Sequence, residues 1–416
     1  MTDISTETIT NPDSRFAPGR AGFTFTLSMV MAGTALAIDM MLPAFPEIRA
    51  GLGLEPGSTA VAGMITVFLM GQGLGLLPAG FLADRCGRRP VLWGGLVLYI
   101  LAALAAALAP SLGVMLLARF VWGMATAGPR VAAMAMVRDA FEGAEMAKQM
   151  STIMAVFTIV PTLAPALGAG IVAVGSWEFV FVACAVYAGV VFALTTRLPA
   201  TMQHAPTKVE DSWAELRRGL KVIFKTPGTL GYLLAMVGLF ASFLSYLASS
   251  EIIVDEVFGL ADWFPAIFAA MSILMAGVMM TNRQLVVSAG LDRMMQLACP
   301  ALLAAVVVFV SVSVLTGGEP PFWLFFVCVA SVISCQQLLV PNINAAAMRP
   351  LGEVAGTAAA IFGMIPMVFG AAIGSIFDRA FNGTTTPLAF GMMCGAILAA
   401  TGLAWARAVV PEGSSG

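Results

Sequence analysis

Gly80-Phe81-Leu82-Ala83-Asp84-Arg85-Cys86-Gly87-Arg88-Arg89-Pro90 decides the fold of this 416-residue chain. Asp84, Arg85, Arg88 and Arg89 are crowded together with two glycines, and long apolar runs lie on both sides. Residues 59–82 upstream and 91–118 downstream carry no charge. Each run exceeds the ~20 apolar residues that a helix needs to cross a bilayer. A turn this short and basic between two spanning helices belongs at the cytoplasmic face, where Lys and Arg accumulate. Gly80 and Gly87 permit close approach of the two helices, and Asp84 has Arg85, Arg88 and neighbouring helix ends as candidate partners. A plain orienting loop is the alternative reading.

Composition agrees with a membrane protein. Hydrophobic residues make up 59% of the chain and charged residues only 11%, against about 25% charged in a soluble domain. Mean hydropathy is +0.93. The formal net charge is -2, and no basic patch with interleaved aromatics occurs, so a nucleic-acid partner is not expected. Six cysteines are scattered without metal-ligand spacing and read as free thiols. No short hydrophobic core with a cleavage site precedes the first span, so a cleaved signal peptide is not expected.

Working outward from the turn gives twelve hydrophobic segments: 21–44, 58–83, 90–109, 112–138, 148–173 and 177–197, then 228–257, 262–282, 294–316, 321–345, 354–377 and 387–408. Of the 21 Lys and Arg, Arg49 and Arg379 fall on one face and Arg119 and Arg130 inside a span; the other 17 lie on the face with both termini. That asymmetry makes the termini cytoplasmic. The expected organisation is a tail (1–20), a six-helix bundle (21–197), a linker (198–227), a second six-helix bundle (228–408) and a C-terminal tail (409–416) ending in an added Gly-Ser remnant. In the linker, which carries the single His204, Asp211-Ser212 is expected to cap an amphipathic helix displaying Trp213, Leu216, Leu220 and Phe224. Such a helix lies in the membrane interface, or docks a partner. The second half keeps only a worn copy of the opening turn, Asn282-Arg283 to Asp292-Arg293.

Three ionisable residues stand where a membrane protein tolerates few. Asp39 lies about 6 Å inside the end of the first span, while Arg119 and Glu251 lie about 10 Å inside theirs. Three charges on three helices thus share one depth, and an unpaired charge at the bilayer centre costs about 2.5–3.5 kcal/mol on insertion scales. Mutual pairing in an aqueous cavity is expected; a structural ion pair or interfacial snorkelling is the alternative. A carboxylate whose hydration or distance to an arginine changes can load a proton on one side and release it on the other.

The opening stretch resembles the Gly-x-Leu-x-Asp-Arg-x-Gly-Arg-Arg signature between helices two and three of the major facilitator superfamily. Further stretches resemble its bicyclomycin-resistance branch of drug:proton antiporters. These are Asp39-Met40-Met41-Leu42-Pro43-Ala44, then Leu117-Ala118-Arg119-Phe120 with Gly123, Val137-Arg138-Asp139, Ala355-Gly356-Thr357-Ala358, and the Pro161, Pro165, Gly168 and Gly170 pattern of helix five. The resemblance implies an all-α membrane protein with twelve transmembrane helices in two pseudo-symmetric six-helix bundles. It implies proton coupling through Asp39 and the helix-four Arg119; Glu251 joins them as a candidate through its shared depth alone. It also implies a conformational latch at Gly80, Asp84, Arg85, Gly87, Arg88 and Arg89 that holds the cytoplasmic side in the outward-open state. A packing kink is the alternative for the helix-five pattern.

The chain departs from the family at Trp122, where Gln is common, at the extra cation Arg130, at Glu178 and at Glu251. Substrate contacts are expected from Trp122, Arg130, Tyr246, Gln336, Gln337 and Asn342, with Ser331 and Ser334 also facing a cavity. Arg130 lies eleven residues after Arg119, about 20° away around the helix. Uncompensated, it favours an anionic group on the substrate; snorkelling to Glu142 or Glu145 is the alternative. The 27 methionines suit an adaptable lining or ordinary core packing. No His/Cys/Asp cluster or nucleophile–base pair is present, so an enzyme is not expected and no cofactor is needed beyond a proton gradient. The expected function is proton-coupled export of a small organic compound from the bacterial inner membrane by a monomer. A proton-coupled importer of a specific metabolite and a lipid flippase are the alternatives.

Overall fold

The computed structural model describes residues 16–198 and 209–409. Residues 1–15, 199–208 (with His204) and 410–416 lie outside them, as do the side chains at 158, 209–215 and 283. In chain order the helices are α1 (Ala21–Asp39), α2 (Phe45–Gly51), α3 (Gly63–Cys86), α4 (Arg88–Ala107), α5 (Leu112–Ala140), α6 (Gly143–Val174) and α7 (Glu178–Thr195). After the linker follow α8 (Val209–Lys225), α9 (Thr229–Ile252), α10 (Phe264–Ala289), α11 (Leu291–Leu315), α12 (Phe322–Met348), α13 (Ala355–Arg379) and α14 (Thr386–Val409). One apolar helical run, Phe322–Arg379, is 58 residues long, about 87 Å at 1.5 Å per residue and far beyond one crossing. It breaks at Leu351, whose φ of -107° and ψ of 16° separate α12 from α13. The chain therefore makes twelve crossings, with α2 and α8 as short additions.

The two sets of six pack by one plan. In the first, α1 packs on α6, α3 on α5, and α4 on both α5 and α7. In the second, α9 packs on α13, α10 on α12, and α11 on both α12 and α14. Counting crossings within each half, these are the same pairs. The seam between the halves is made chiefly by α3 against α13 and α6 against α10, which a two-fold rotation exchanges. The architecture is two pseudo-symmetric six-helix bundles.

The opening stretch forms a one-residue turn. α3 ends at Cys86, Gly87 adopts φ 92° and ψ 162°, and α4 begins at Arg88. The worn copy in the second half does the same: Gly290, φ 81° and ψ 155°, separates α10 from α11. Only glycine takes this backbone conformation without strain. Gly87→Ala is therefore expected to cost about 1–3 kcal/mol and to lower the thermal unfolding midpoint in detergent. Gly80 has no neighbour within 4 Å of an added Cβ, so Gly80→Ala is expected to leave that midpoint unchanged or slightly raised. A midpoint in Gly87→Ala equal to that of Gly80→Ala would show that the turn tolerates a side chain. The close approach expected of Gly80 is not found.

The linker helix differs from its sequence reading in two ways. It starts at Val209, so Asp211 and Ser212 lie inside its first turn rather than capping it. It also leans on the second bundle: Ile223 is buried in that bundle's core, Leu220 and Val222 pack beside it, and Arg218 pairs with Glu353 at 3.3 Å. Leu216 is half-buried and Phe224 exposed.

Candidate functional site

The first crossing breaks where the sequence reading ran it on to residue 44. Pro43 and Pro46 cannot donate backbone hydrogen bonds, so α1 stops at Asp39, a tight turn follows at Leu42–Ala44, and α2 starts at Phe45. Asp39 thus occupies a helix end inside the protein. It is 5% exposed and has no hydrogen-bond or ionic partner among the described residues. Its side chain lines a cavity of about 300 Å³ at the seam, together with α6 (Met154, Phe157, Pro161), α9 (Phe243, Tyr246, Leu247), α10 (Phe268, Met271, Ser272, Met275, Met279) and Gln337 of α12. Among the described residues Asp39 is the one charged side chain in that wall. The helix-five pattern bears directly on it. A Cβ on Gly168 would strike the backbone of Met40, so this glycine lets α6 lie against the break. Pro165 is buried, whereas Gly170 is exposed with nothing within 4 Å.

The mutual pairing expected of Asp39, Arg119 and Glu251 is not found. Arg119 is fully buried. It donates to the Ala37 carbonyl at 2.9 Å and the Met64 carbonyl at 3.4 Å, with its guanidinium 4.4 Å from the Phe68 ring centre and 4.8 Å from that of Trp122. The last turn of α1 leaves carbonyls without helical partners, and Arg119 takes one of them two residues before Asp39. Carbonyl dipoles and aromatic faces replace a carboxylate as its counter-charge. Trp122, expected at the substrate, is instead wedged edge-on among Phe68, Tyr99 and Phe181 with 0% exposure.

Glu251 pairs elsewhere. Arg49 Nη2 meets Glu251 Oε2 at 3.1 Å, with the two side chains 5% and 4% exposed. Arg49 Nε also donates to the Ser58 carbonyl at 3.0 Å. Arg49 is expected on the face away from the termini; the proline break turns α2 inward and brings it to the C-terminal bundle. This bridge ties α2 to α9 across the seam, at the end remote from the chain termini.

At the other end, the turn builds a cluster. Arg88 pairs with Asp84 and also with Asp139 at 3.3 Å, joining α3, α4 and α5. Arg89 donates to the Thr196 carbonyl at 3.0 Å and stacks on Trp93, while Arg85 is exposed.

Three further expected contacts lie off the cavity. Gln336 donates to Ser242 at 2.5 Å and Asn342 to Asn282 at 3.0 Å, so both link helices within the second bundle. Ser331 bonds back to Val327 of its own helix at 2.7 Å and is exposed. Of the neighbouring glutamines, only Gln337 reaches the wall, because one residue turns a helix by about 100°. Arg130 is half-buried, makes no ion pair among the described residues and lines neither seam cavity. No cluster of metal-ligating side chains occurs among the described residues.

A family model described as Major Facilitator Superfamily matches residues 27–375. The chain belongs to the Major Facilitator Superfamily. Within it, the chain is 26% identical over 371 residues to a bicyclomycin resistance protein homolog of Haemophilus influenzae, spanning 89% of this chain and 92% of that one. It is 27% identical over 343 residues to multidrug resistance protein D of Escherichia coli, spanning 81% and 83%. Among solved structures, a peptide transporter in complex with alafosfalin superposes with a TM-score of 0.75 over 96% of this chain and 99% of that one, at 15% identity. A D-xylose-proton symporter gives 0.71 over 95% and 99%, at 13% identity. These two likenesses concern the fold alone. Family and fold are those of membrane transporters rather than enzymes.

Two buried charges of this superfamily member escaped the sequence reading. Arg49 was hidden by the unforeseen proline break, for which Pro43 and Pro46 were the available signal. Asp378, 4% exposed, sits beside Arg379 at the end of α13 and reads in sequence as a surface pair.

Proposed function

We propose that the chain exports a small organic compound in exchange for protons, alternating access around the cavity at the seam. The observation that carries this reading is the cavity wall itself. It is mainly aromatic and methionine side chains, with one uncompensated carboxylate, Asp39, at a helix break. A buried acid without a cation partner is poised to take up a proton and to lose it when its surroundings become wet. Arg119 acts on it through the Ala37 carbonyl, by fixing the last turn of α1, instead of by direct pairing. Tyr246 and Gln337 supply the polar contacts to the substrate, and the methionines adapt to its apolar part. The cavity volume of about 300 Å³ suits a compact molecule. The direction of transport is taken from the relatives named for resistance to bicyclomycin and to multiple drugs. The bundles at 21–197 and 228–408 are the two bodies that rock, in a monomer with cytoplasmic termini in a bacterial inner membrane. The Asp84–Arg88–Asp139 cluster braces the cytoplasmic end of the first body as its latch.

Uptake of a compound panel into inverted vesicles with an imposed pH gradient tests this. Accumulation of at least one compound that collapses on adding a protonophore is expected. Accumulation that survives the protonophore would exclude proton coupling.

A further inference from the structure

The end of the seam remote from the termini holds a second cavity, of about 450 Å³, between residues 58–67 and the last turn of α13. Asp378 stands in its wall. One carboxylate oxygen accepts a 2.8 Å hydrogen bond from the Ser249 hydroxyl, and no Lys, Arg or His pairs with the group among the described residues. The neighbouring Arg379 lines the same cavity but is itself exposed. A carboxylate 4% exposed with one neutral donor carries a large desolvation cost that a cation would offset. Around it the wall is rich in acceptors. Ser375, one turn earlier, spends its hydroxyl proton on the Ala372 carbonyl at 2.8 Å, leaving its oxygen an acceptor. Thr59 and Thr66 add two more hydroxyls, while Val67 and Leu116 supply an apolar side.

This chemistry selects among cations. A primary ammonium has three donors to place, and a carboxylate with hydroxyl oxygens receives all three. A quaternary ammonium has no N–H and is held by aromatic faces, and among the described residues this wall contains no aromatic. We propose that the cavity binds a small aliphatic primary ammonium ion, with Asp378 as counter-ion and the hydroxyls of Ser375, Thr59 and Thr66 as acceptors. The site is separate from the Asp39 cavity and stands whether or not Asp39 carries a coupling proton. It adjoins the inter-bundle bridge, because Ser58 both lines the cavity and accepts from Arg49. Exposed Arg379 at its edge restricts it to a single positive charge.

The test is titration of the purified full chain in detergent with n-butylammonium, followed by thermal unfolding, with 1-butanol and tetramethylammonium as comparisons. A saturable rise in midpoint is expected for n-butylammonium, none for 1-butanol, and a weaker response for tetramethylammonium. Asp378→Asn is expected to weaken the n-butylammonium response about tenfold or more, the loss of a charge-assisted hydrogen bond, while Asp39→Asn leaves it intact. Should Asp378→Asn not fold, Ser375→Ala and Thr66→Val are each expected to weaken it about threefold to tenfold. The proposal is overturned by no saturable response, by an equal response to 1-butanol, by a response that survives these substitutions, or by one that Asp39→Asn abolishes. A stabilisation that follows pH alone would mean that Asp378 takes only a proton, and would overturn it as well.

Discussion

Asp39→Asn is expected to reduce uphill transport driven by a pH gradient to the level of empty vesicles, while substrate exchange across a collapsed gradient persists. The reason lies in the cavity wall. Asn keeps the shape and hydrogen-bonding capacity of the acid but cannot gain and lose a proton in this range. Among the described residues no other charged side chain lines the cavity to replace it. Arg119 stays bound to the Ala37 carbonyl, so the break in α1 is expected to survive the substitution. The check is a side-by-side measurement of gradient-driven uptake and of counterflow in proteoliposomes. Undiminished gradient-driven uptake by the variant would remove Asp39 from the coupling mechanism. Loss of both activities would point to a damaged substrate site instead.

The second large effect concerns Arg49 and Glu251. Both are nearly inaccessible, and one oxygen of Glu251 already lacks a partner. Removing either charge leaves the other buried and uncompensated, which costs about 3–5 kcal/mol. That cost is relieved by letting water in, so Arg49→Ala and Glu251→Gln are expected to open the seam at this end as well as to lower the unfolding midpoint. A cysteine introduced at Ser58, whose carbonyl Arg49 holds, reports the opening by faster labelling with a membrane-impermeant maleimide. The double variant Arg49→Glu with Glu251→Arg restores complementary charges and is expected to recover part of both properties. If the single variants label and unfold like the parent, the bridge is not what closes this end.

Much of this fold was legible in sequence because bilayer thickness is a strict ruler. Charge-free runs such as 59–82 and 91–118 have the length of a crossing, and Gly87 with its arginines marks the turn between them. Asp39 was legible for a related reason: an acid in an apolar run is costly enough to need an explanation. What remained hidden was rotation and return. Whether Gln336 or Gln337 meets the cavity depends on about 100° of helix rotation, which packing against Ser242 decides. Glu251 was foreseen as buried, but its partner was not, because Arg49 reaches it only after the prolines stop α1 and turn α2 inward. Shared depth therefore proved a poor guide to pairing. Arg119 donates to the Ala37 and Met64 carbonyls and lies against the Phe68 and Trp122 rings, with Nη2 left without a hydrogen bond, yet it does not pair with Asp39.

The two glycine turns carry one further lesson, for symmetry-based design. In the first bundle the base, Arg88, opens α4 and its acid, Asp139, closes α5. In the second the acid, Asp292, lies at the start of α11 and its base, Arg349, follows α12, at 3.8 Å. The backbone turn is repeated while the polarity of the pair is inverted. A chimera that copies one bundle onto the other must therefore move both members together. Grafting an arginine at Asp292 alone sets it against Arg349, and grafting an aspartate at Arg88 alone sets it against both Asp84 and Asp139. What the two bundles hold in common at this point is a helix-start charge complemented by a helix-end charge, one residue after the glycine in the first bundle and two residues after it in the second.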